Sequence, residues 1–396
     1  MRISLATLIG AGCTTALLLQ ATVSGAAPVG DAGGTTAPRT VTLALEAPRT
    51  APRDGQSIRV LTSRATARYS LLGVSWDDPA AAPAGSVQVR TRAAADGSWS
   101  AWRSLAADSE DRPDPGSADL TGPRAPGATA PRGATAPLWV GPSDGVEVRV
   151  SGAAALPAGL RVELVDPGTD AAADRPHPLP PPPAGPRTRP AADHGAPRPA
   201  IVTRVGWGAD ESLREPDFVY TGDVRAVFVH HTDTGNDYSC ADAPKLIRGV
   251  YQYHVRSNGW RDLGYNFLVD KCGTVYEGRA GGVARAVLGA HTLGFNTDSA
   301  GVAALGTYVS AQPPQAQLDG IAQIAAWKLG LTGQDARGTT TLVSANDGSR
   351  YPKGTAHTFD ALSGHRDAFN TECPGDALFA RLDSVRTLAA HLQGRQ

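Results

Sequence analysis

Four consecutive prolines, Pro180 to Pro183, sit near the middle of the chain. Proline fixes φ and lacks an N–H, so such a run can be neither helix nor the interior of a sheet. It must run extended. Residues 167–200, rich in Pro and Ala, therefore read as a semi-rigid linker. The 396-residue chain is thereby divided into two domains, a number its length also suggests.

Before the linker, residues 40–166 read as a small all-β, sandwich-like domain. Ser86 to Arg92 alternates polar and apolar, as does Val146 to Val150, and Asp96-Gly97 signals a turn. No long helical periodicity is present. Residues 108–137, rich in Pro, Gly, Ala and Asp, read as a long loop. Trp76, Trp99, Trp102 and Trp139 either line a carbohydrate-binding face or fill the core. Wall binding is one possible role for this domain.

Residues 1–27 read as a secretory signal. Arg2 precedes an interrupted apolar run from Leu5 to Val23, and the small residues Ser24 to Ala27 follow. The competing readings are a membrane anchor and lipid attachment at Cys13, but Gly10 stands where such lipid sites favour a branched apolar residue. The expectation is a secreted protein, extracellular or wall-associated, without stable membrane insertion, and monomeric. With 37 basic and 38 acidic residues, net charge gives no reason to expect a nucleic acid or an anionic membrane as partner.

After the linker, residues 201–396 change pattern. Arg225 to His230 is a strand-length apolar run. Ala243 to Arg256 has helical spacing and Asn258-Gly259 stops it. Strands are expected at Tyr265–Val269, Thr274–Glu277 and Gly301–Leu305, and helices at Pro314–Leu329 and Asp376–Leu392. Alternating strands and helices indicate an α/β domain.

His230 and His231 end a strand in this domain. His365 lies in Gly364-His365-Arg366-Asp367, and Cys373 follows in Thr371-Glu372-Cys373-Pro374-Gly375. Pro374 and Gly375 disfavour helix, so this segment is a loop able to turn back on itself. Two imidazoles and a thiolate suit zinc, and three protein ligands leave a fourth position for water, as in catalytic sites. Scattered His and Cys are also commonly structural. The signal leaves three cysteines, Cys240, Cys272 and Cys373, of which two should pair in an oxidising compartment.

Phe228-Val-His-His-Thr232, Leu263-Gly-Tyr-Asn-Phe267, Val275-Tyr-Glu-Gly-Arg279, Gly289-Ala-His-Thr292 and Gly364-His-Arg-Asp367 with Thr371-Glu-Cys-Pro-Gly375 occur in this order. The set resembles the peptidoglycan recognition protein family, related to the N-acetylmuramoyl-L-alanine amidases of bacteriophage-lysozyme type. The resemblance covers Val202 to the end. It implies a mixed central sheet flanked by helices, with a groove over one Zn2+ ion held by His230, His365 and Cys373. It also implies a peptidoglycan partner and a catalytic Tyr265 whose phenol stabilises a developing oxyanion. Thr371 matches a position where some relatives carry lysine; its hydroxyl either donates to the carbonyl oxygen or orients the loop. His231, His291, Asn296, Glu277 and Arg279 are candidates for lining the substrate groove, with packing or ion pairing as the competing roles. Glu277 has Arg279 and Arg366 as candidate salt-bridge partners. With Cys373 assigned to the metal, Cys240 and Cys272 form the disulfide. This departs from the common animal-family bridge, which joins two cysteines close together after His-His-Thr. His254 reads as structural, His357 as an alternative ligand, and His177 and His194 as solvated linker residues.

Three functions are then in competition. The first is a zinc amidase that cuts the bond between N-acetylmuramic acid and the L-alanine of the stem peptide. The second is a recognition protein that holds peptidoglycan without cutting it, but such relatives typically lack the metal cysteine. The third is a thiol peptidase using Cys373 and His365; Pro374-Gly375 denies it the helix start that would activate the thiol.

Overall fold

The computed structural model describes residues 36–48, 57–107, 111–122, 124, 128–169 and 194–396. The signal-like segment with Cys13, His177 and the proline run lie outside these residues. No helix among the described residues is long and apolar enough to cross a membrane.

The N-terminal part contains β1 (Arg39–Ala44), β2 (Ser57–Trp76), β3 (Gly85–Ala93), β4 (Arg103–Leu105), a one-turn helix α1 (Ala118–Thr121), β5 (Gly133–Ala134), β6 (Leu138–Gly152) and β7 (Arg161–Asp166). The strands form one antiparallel sheet in the order β1-β7-β2-β6-β3-β4, with β5 beside β2. The alternation in the sequence becomes burial: Val87, Val89 and Thr91 face inward, Gln88 and Arg90 outward. The pairing of β2 with β6 slips register between Leu61 and Arg64 and again on either side of Tyr69. Such irregularities bend a strand, and side chains from edge to edge, Leu45 to Leu105, line a single core. Trp76 and Trp139 are buried in core clusters. Trp99 and Trp102 are half-buried and share Arg90, whose guanidinium lies 5.3 and 5.2 Å from their ring centres.

The C-terminal part contains β8 (Ile201–Val202), β9 (Ala226–His231), α2 (Ala243–Gln252), β10 (Phe267–Val269), β11 (Val275–Glu277), β12 (Ser299–Ala304), α3 (Gln315–Gly330), β13 (Thr339–Val343), β14 (Ala356–Asp360), β15 (Leu362–Gly364), α4 (His365–Ala368), α5 (Asp376–Phe379) and α6 (Leu382–Leu392). Six strands form a mixed sheet in the order β15-β9-β12-β10-β11-β8, in which only β10 and β11 pair antiparallel. β9 is near-continuously apolar until its two histidines and wholly buried, as a parallel strand covered on both faces must be. Helices α3 and α6 supply Leu318, Ile321, Leu382 and Val385 to a core with Val227, Val229 and Val302 of the sheet.

α2 presents Leu246, Ile247 and Val250 to Leu268 and Ala303 of the sheet. That same cluster includes Leu71, Trp139 and Val165 of the β domain. The two halves thus share one apolar core across α2. Backbone packing there is close: a Cβ on Gly73 would lie 2.1 Å from the Tyr253 hydroxyl. That hydroxyl donates to the Thr135 carbonyl at 3.1 Å, and the Trp139 N–H donates to the Thr234 carbonyl at 3.0 Å.

β8 and β15 stand where the sequence reading expected no strand, α1 and β5 lie within the expected loop, and two further features differ. The expected helix over 376–392 is two helices, α5 and α6, separated by a turn at Ala380-Arg381. A hairpin of β13 and β14 stands where no strand was expected; its first strand, Thr-Thr-Thr-Leu-Val, is short and mostly polar, so it carries little apolar signal.

Candidate active site

Strand register assembles the histidines. β15 runs parallel to β9 with Gly364 opposite Val229, so His365 begins α4 level with His230 at the carboxyl ends of both strands. That edge of a parallel sheet is where ligands bind. The two rings lie 4.5 Å apart between centres. The loop after α4 turns back, and Cys373 Sγ comes within 3.7 Å of His230 Nδ1. One donor atom from each of His230, His365 and Cys373 lies within 4.8 Å of the others, and all three residues are buried.

The electrostatics suit a cation. Burial holds His230 down to about 3 and pushes His365 well below the ordinary histidine range, so both rings are neutral lone-pair donors at neutral pH. A polar atom beside the His365 ring is Asp111 Oδ1, 3.2 Å from its Nδ1. Two buried, neutral imidazoles and a thiol make a donor set that fits zinc.

His291 lies beneath His230 and not in the open groove. It is fully buried, its Nδ1 3.2 Å from His230 Nε2 and 2.9 Å from Thr292 Oγ1. If Nδ1 of His230 offers its lone pair toward Cys373, Nε2 must carry the proton and donate to His291. This is the outer hydrogen bond that fixes a ligand's tautomer. His231 turns the other way, as alternation along a strand requires, and its Nδ1 accepts the Tyr308 N–H at 3.1 Å.

Tyr265 joins the cluster, its ring 5.4 Å from that of His230. His231, Tyr265, Thr371 and Cys373 line one cleft with Val309 and Asp111. Thr371 Oγ1 accepts the Cys373 N–H at 3.0 Å, which orients the ligand loop. Asn296 accepts the N–H groups of His291 and Thr292 on its Oδ1. Arg279 donates to the Leu263 and Leu288 carbonyls and pairs with Asp119 at 2.8 Å. Glu277 stands on β11, three strands from β9. Its carboxylate accepts the Arg204 N–H at 3.2 Å, so its partner is neither Arg279 nor Arg366.

Cys240 and Cys272 form a disulfide with their Cα atoms 6.2 Å apart, and Cys373, outside that bridge, is buried. His357 is not at the cluster; it stacks on Tyr351 at 3.9 Å. His254 is buried and accepts the Gly264 N–H.

Sequence reasoning missed Asp111, Asp114 and Asp119. They lie in the expected loop of the β domain, yet all three are buried against the α/β domain. Asp111 Oδ1 is 3.3 Å from His230 Nδ1 and 3.2 Å from His365 Nδ1. Its Oδ2 accepts the Tyr265 hydroxyl at 2.6 Å. The only sequence signal was the repetition of aspartate in a Pro/Gly-rich stretch.

Comparison with known proteins gives two family matches. Residues 29–184 match "Rv3811 N-terminal galactose-binding domain-like" and residues 220–376 match "N-acetylmuramoyl-L-alanine amidase". The human N-acetylmuramoyl-L-alanine amidase is 34% identical over 192 residues, 48% of this chain but 28% of that protein. The chain thus spans under a third of that relative's length. Peptidoglycan recognition protein 1 of Bos indicus is 34% identical over 186 residues, 46% of this chain and 80% of that protein. The solved Drosophila PGRP-LB structure is 28% identical, over 46% of this chain and 92% of that one, with a TM-score of 0.36.

Proposed function

The chain belongs to the peptidoglycan recognition protein family, and from that premise we propose that it is a secreted zinc-dependent N-acetylmuramoyl-L-alanine amidase. It hydrolyses the amide between the lactyl group of N-acetylmuramic acid and the L-alanine of the stem peptide. The observation that carries this reading is the cluster of His230, His365 and Cys373, which meets a cleft through Cys373 and Tyr265. Members that only bind have no need of a thiol in that set.

His230, His365 and Cys373 would hold the ion, which when bound supplies Lewis acidity toward water and the scissile carbonyl. The protein's own groups do the rest. His291 fixes the tautomer of His230. Tyr265 donates its phenolic hydrogen to the carbonyl oxygen as negative charge develops there. Thr371 keeps the Cys373 loop in place through the backbone N–H it accepts. His231, held by Tyr308, forms part of the cleft wall. Asn296 holds the backbone of His291 and Thr292, and Arg279 ties the Leu263 and Leu288 carbonyls together.

The test is muropeptide digestion by the full chain with zinc, with chelator, and with zinc restored, read by mass analysis. Release of stem peptide that is lost on chelation and recovered with zinc supports the amidase. Binding without release at any zinc level makes it a recognition protein. Release that survives chelation and Cys373→Ser rejects the metal site.

A further inference from the structure

The segment 111–119 belongs to the β domain, between β4 and β5, but its carboxylates make their contacts on the α/β domain. Asp111 touches both candidate histidine ligands and accepts the Tyr265 hydroxyl. Asp114 accepts the Gly294 N–H and the Asn296 side-chain amide. Asp119 pairs with Arg279. Their exposures are 4%, 4% and 2%. A carboxylate taken out of water is costly unless a charge or good donors receive it. Here each one has a partner on the α/β domain, and two of those partners, Asn296 and Arg279, are candidate substrate contacts in the sequence reading.

Asp111 also satisfies the groups a substrate would need. The Tyr265 phenol, the donor for a developing oxyanion, already gives its hydrogen to Asp111. The Asp111 oxygen beside His230 and His365 stands where an open, water-bearing metal site requires space. A carboxylate set against two of the three candidate ligands crowds the open position that a water-bearing site needs. Because the segment is tethered at β4 and β5 in the same molecule, it competes at high effective concentration.

We infer that residues 111–119 are a built-in plug of the site. The Asp111 carboxylate sets its charge beside His230 and His365 and holds the Tyr265 hydroxyl, and Asp114 and Asp119 seat the segment on the α/β domain. The protein as folded is latent, and substrate gains entry only when this segment leaves. The inference rests on the reading of His230, His365 and Cys373 as metal ligands.

The experiment compares the full-length protein with its Asp111→Ala and Asp111→Asn variants, the second guarding against a folding defect in the first. Three readouts are taken: zinc affinity by chelator competition, the visible spectrum of the cobalt(II)-loaded protein, and binding and cleavage of a soluble muropeptide. The plug predicts at least about tenfold weaker zinc binding, a changed cobalt spectrum, and about tenfold or greater gains in muropeptide affinity and release. Asp114→Ala, which loosens the seat but spares Asp111, should raise release by a smaller factor. If the parent cleaves and neither Asp111 variant changes zinc affinity or rate, the plug is wrong and the amidase reading stands. A lower rate in folded Asp111 variants also overturns it, because Asp111 would then assist the reaction. If no form cleaves, yet Asp111→Ala alters the cobalt spectrum and tightens muropeptide binding, the plug stands and the amidase reading fails.

Discussion

At the scale of single residues, the site depends on a few buried groups. Cys373→Ser replaces the thiolate with a hydroxyl that zinc holds far less well; stem-peptide release should fall below detection, and zinc stoichiometry, read by metal analysis, should drop toward zero. Tyr265→Phe keeps the ring that packs on His230 but removes the donor, so kcat should fall about 10²–10³-fold with KM little changed. Equal loss in both parameters would argue for a packing role. Histidine burial sets a pH dependence. Burial holds His230, His231 and His254 down to about 3, while in the unfolded chain they titrate near 6.5. The unfolded state therefore binds protons the folded state refuses, and stability, fully present above about pH 6.5, is lost as pH falls toward 3. The slope is about 1.4 kcal/mol per pH unit for each such histidine. Thermal unfolding of chelated protein between about pH 7.5 and about pH 5.5 should show the midpoint falling; a flat profile contradicts the burial. His230, His365, Cys373 and Tyr265 were legible in the sequence because each sits in a short distinctive motif. Asp111 was not, because its burial is created by the docking of another domain, which no local pattern encodes. His291 was legible as a site residue, but that it stands under His230 depends on side-chain packing.

Among the elements, β9 and β15 matter most, because parallel pairing sets His230 and His365 side by side. β9 could be read from its apolar run and α2 from its helical spacing. The short polar hairpin of β13 and β14 could not, since three threonines carry no strong period. The Cys240–Cys272 bridge ties the start of α2 to the turn between β10 and β11. It closes a loop over a separation of 32 residues, worth about 3–4 kcal/mol on the chain-entropy model. Reduction under native conditions should lower the denaturation free energy by about that amount, measured by urea titration. An unchanged midpoint would mean that the α2 packing alone holds this region. Leu71→Ala on β2 removes a fully buried side chain from the core shared with α2 and should cost about 2–5 kcal/mol.

For the whole molecule, the proline run announces two domains, yet the described parts of both halves form one compact unit with a common apolar cluster. Shared burial couples the stabilities of the two halves. Calorimetry should show one unfolding transition whose calorimetric and van't Hoff enthalpies agree; two separated transitions would mean that the shared core contributes little. The docking also brings the β domain to the site, because it carries Asp111, which lies beside His230, His365 and Tyr265. The central claim, zinc-dependent amide hydrolysis, is tested most directly by mass analysis of a muropeptide incubated with the zinc-loaded full chain and with its Asp111→Ala variant. Free stem peptide and free disaccharide are expected, faster with the variant, abolished by chelation and restored by zinc. Intact muropeptide after incubation with both zinc-loaded proteins would contradict that claim.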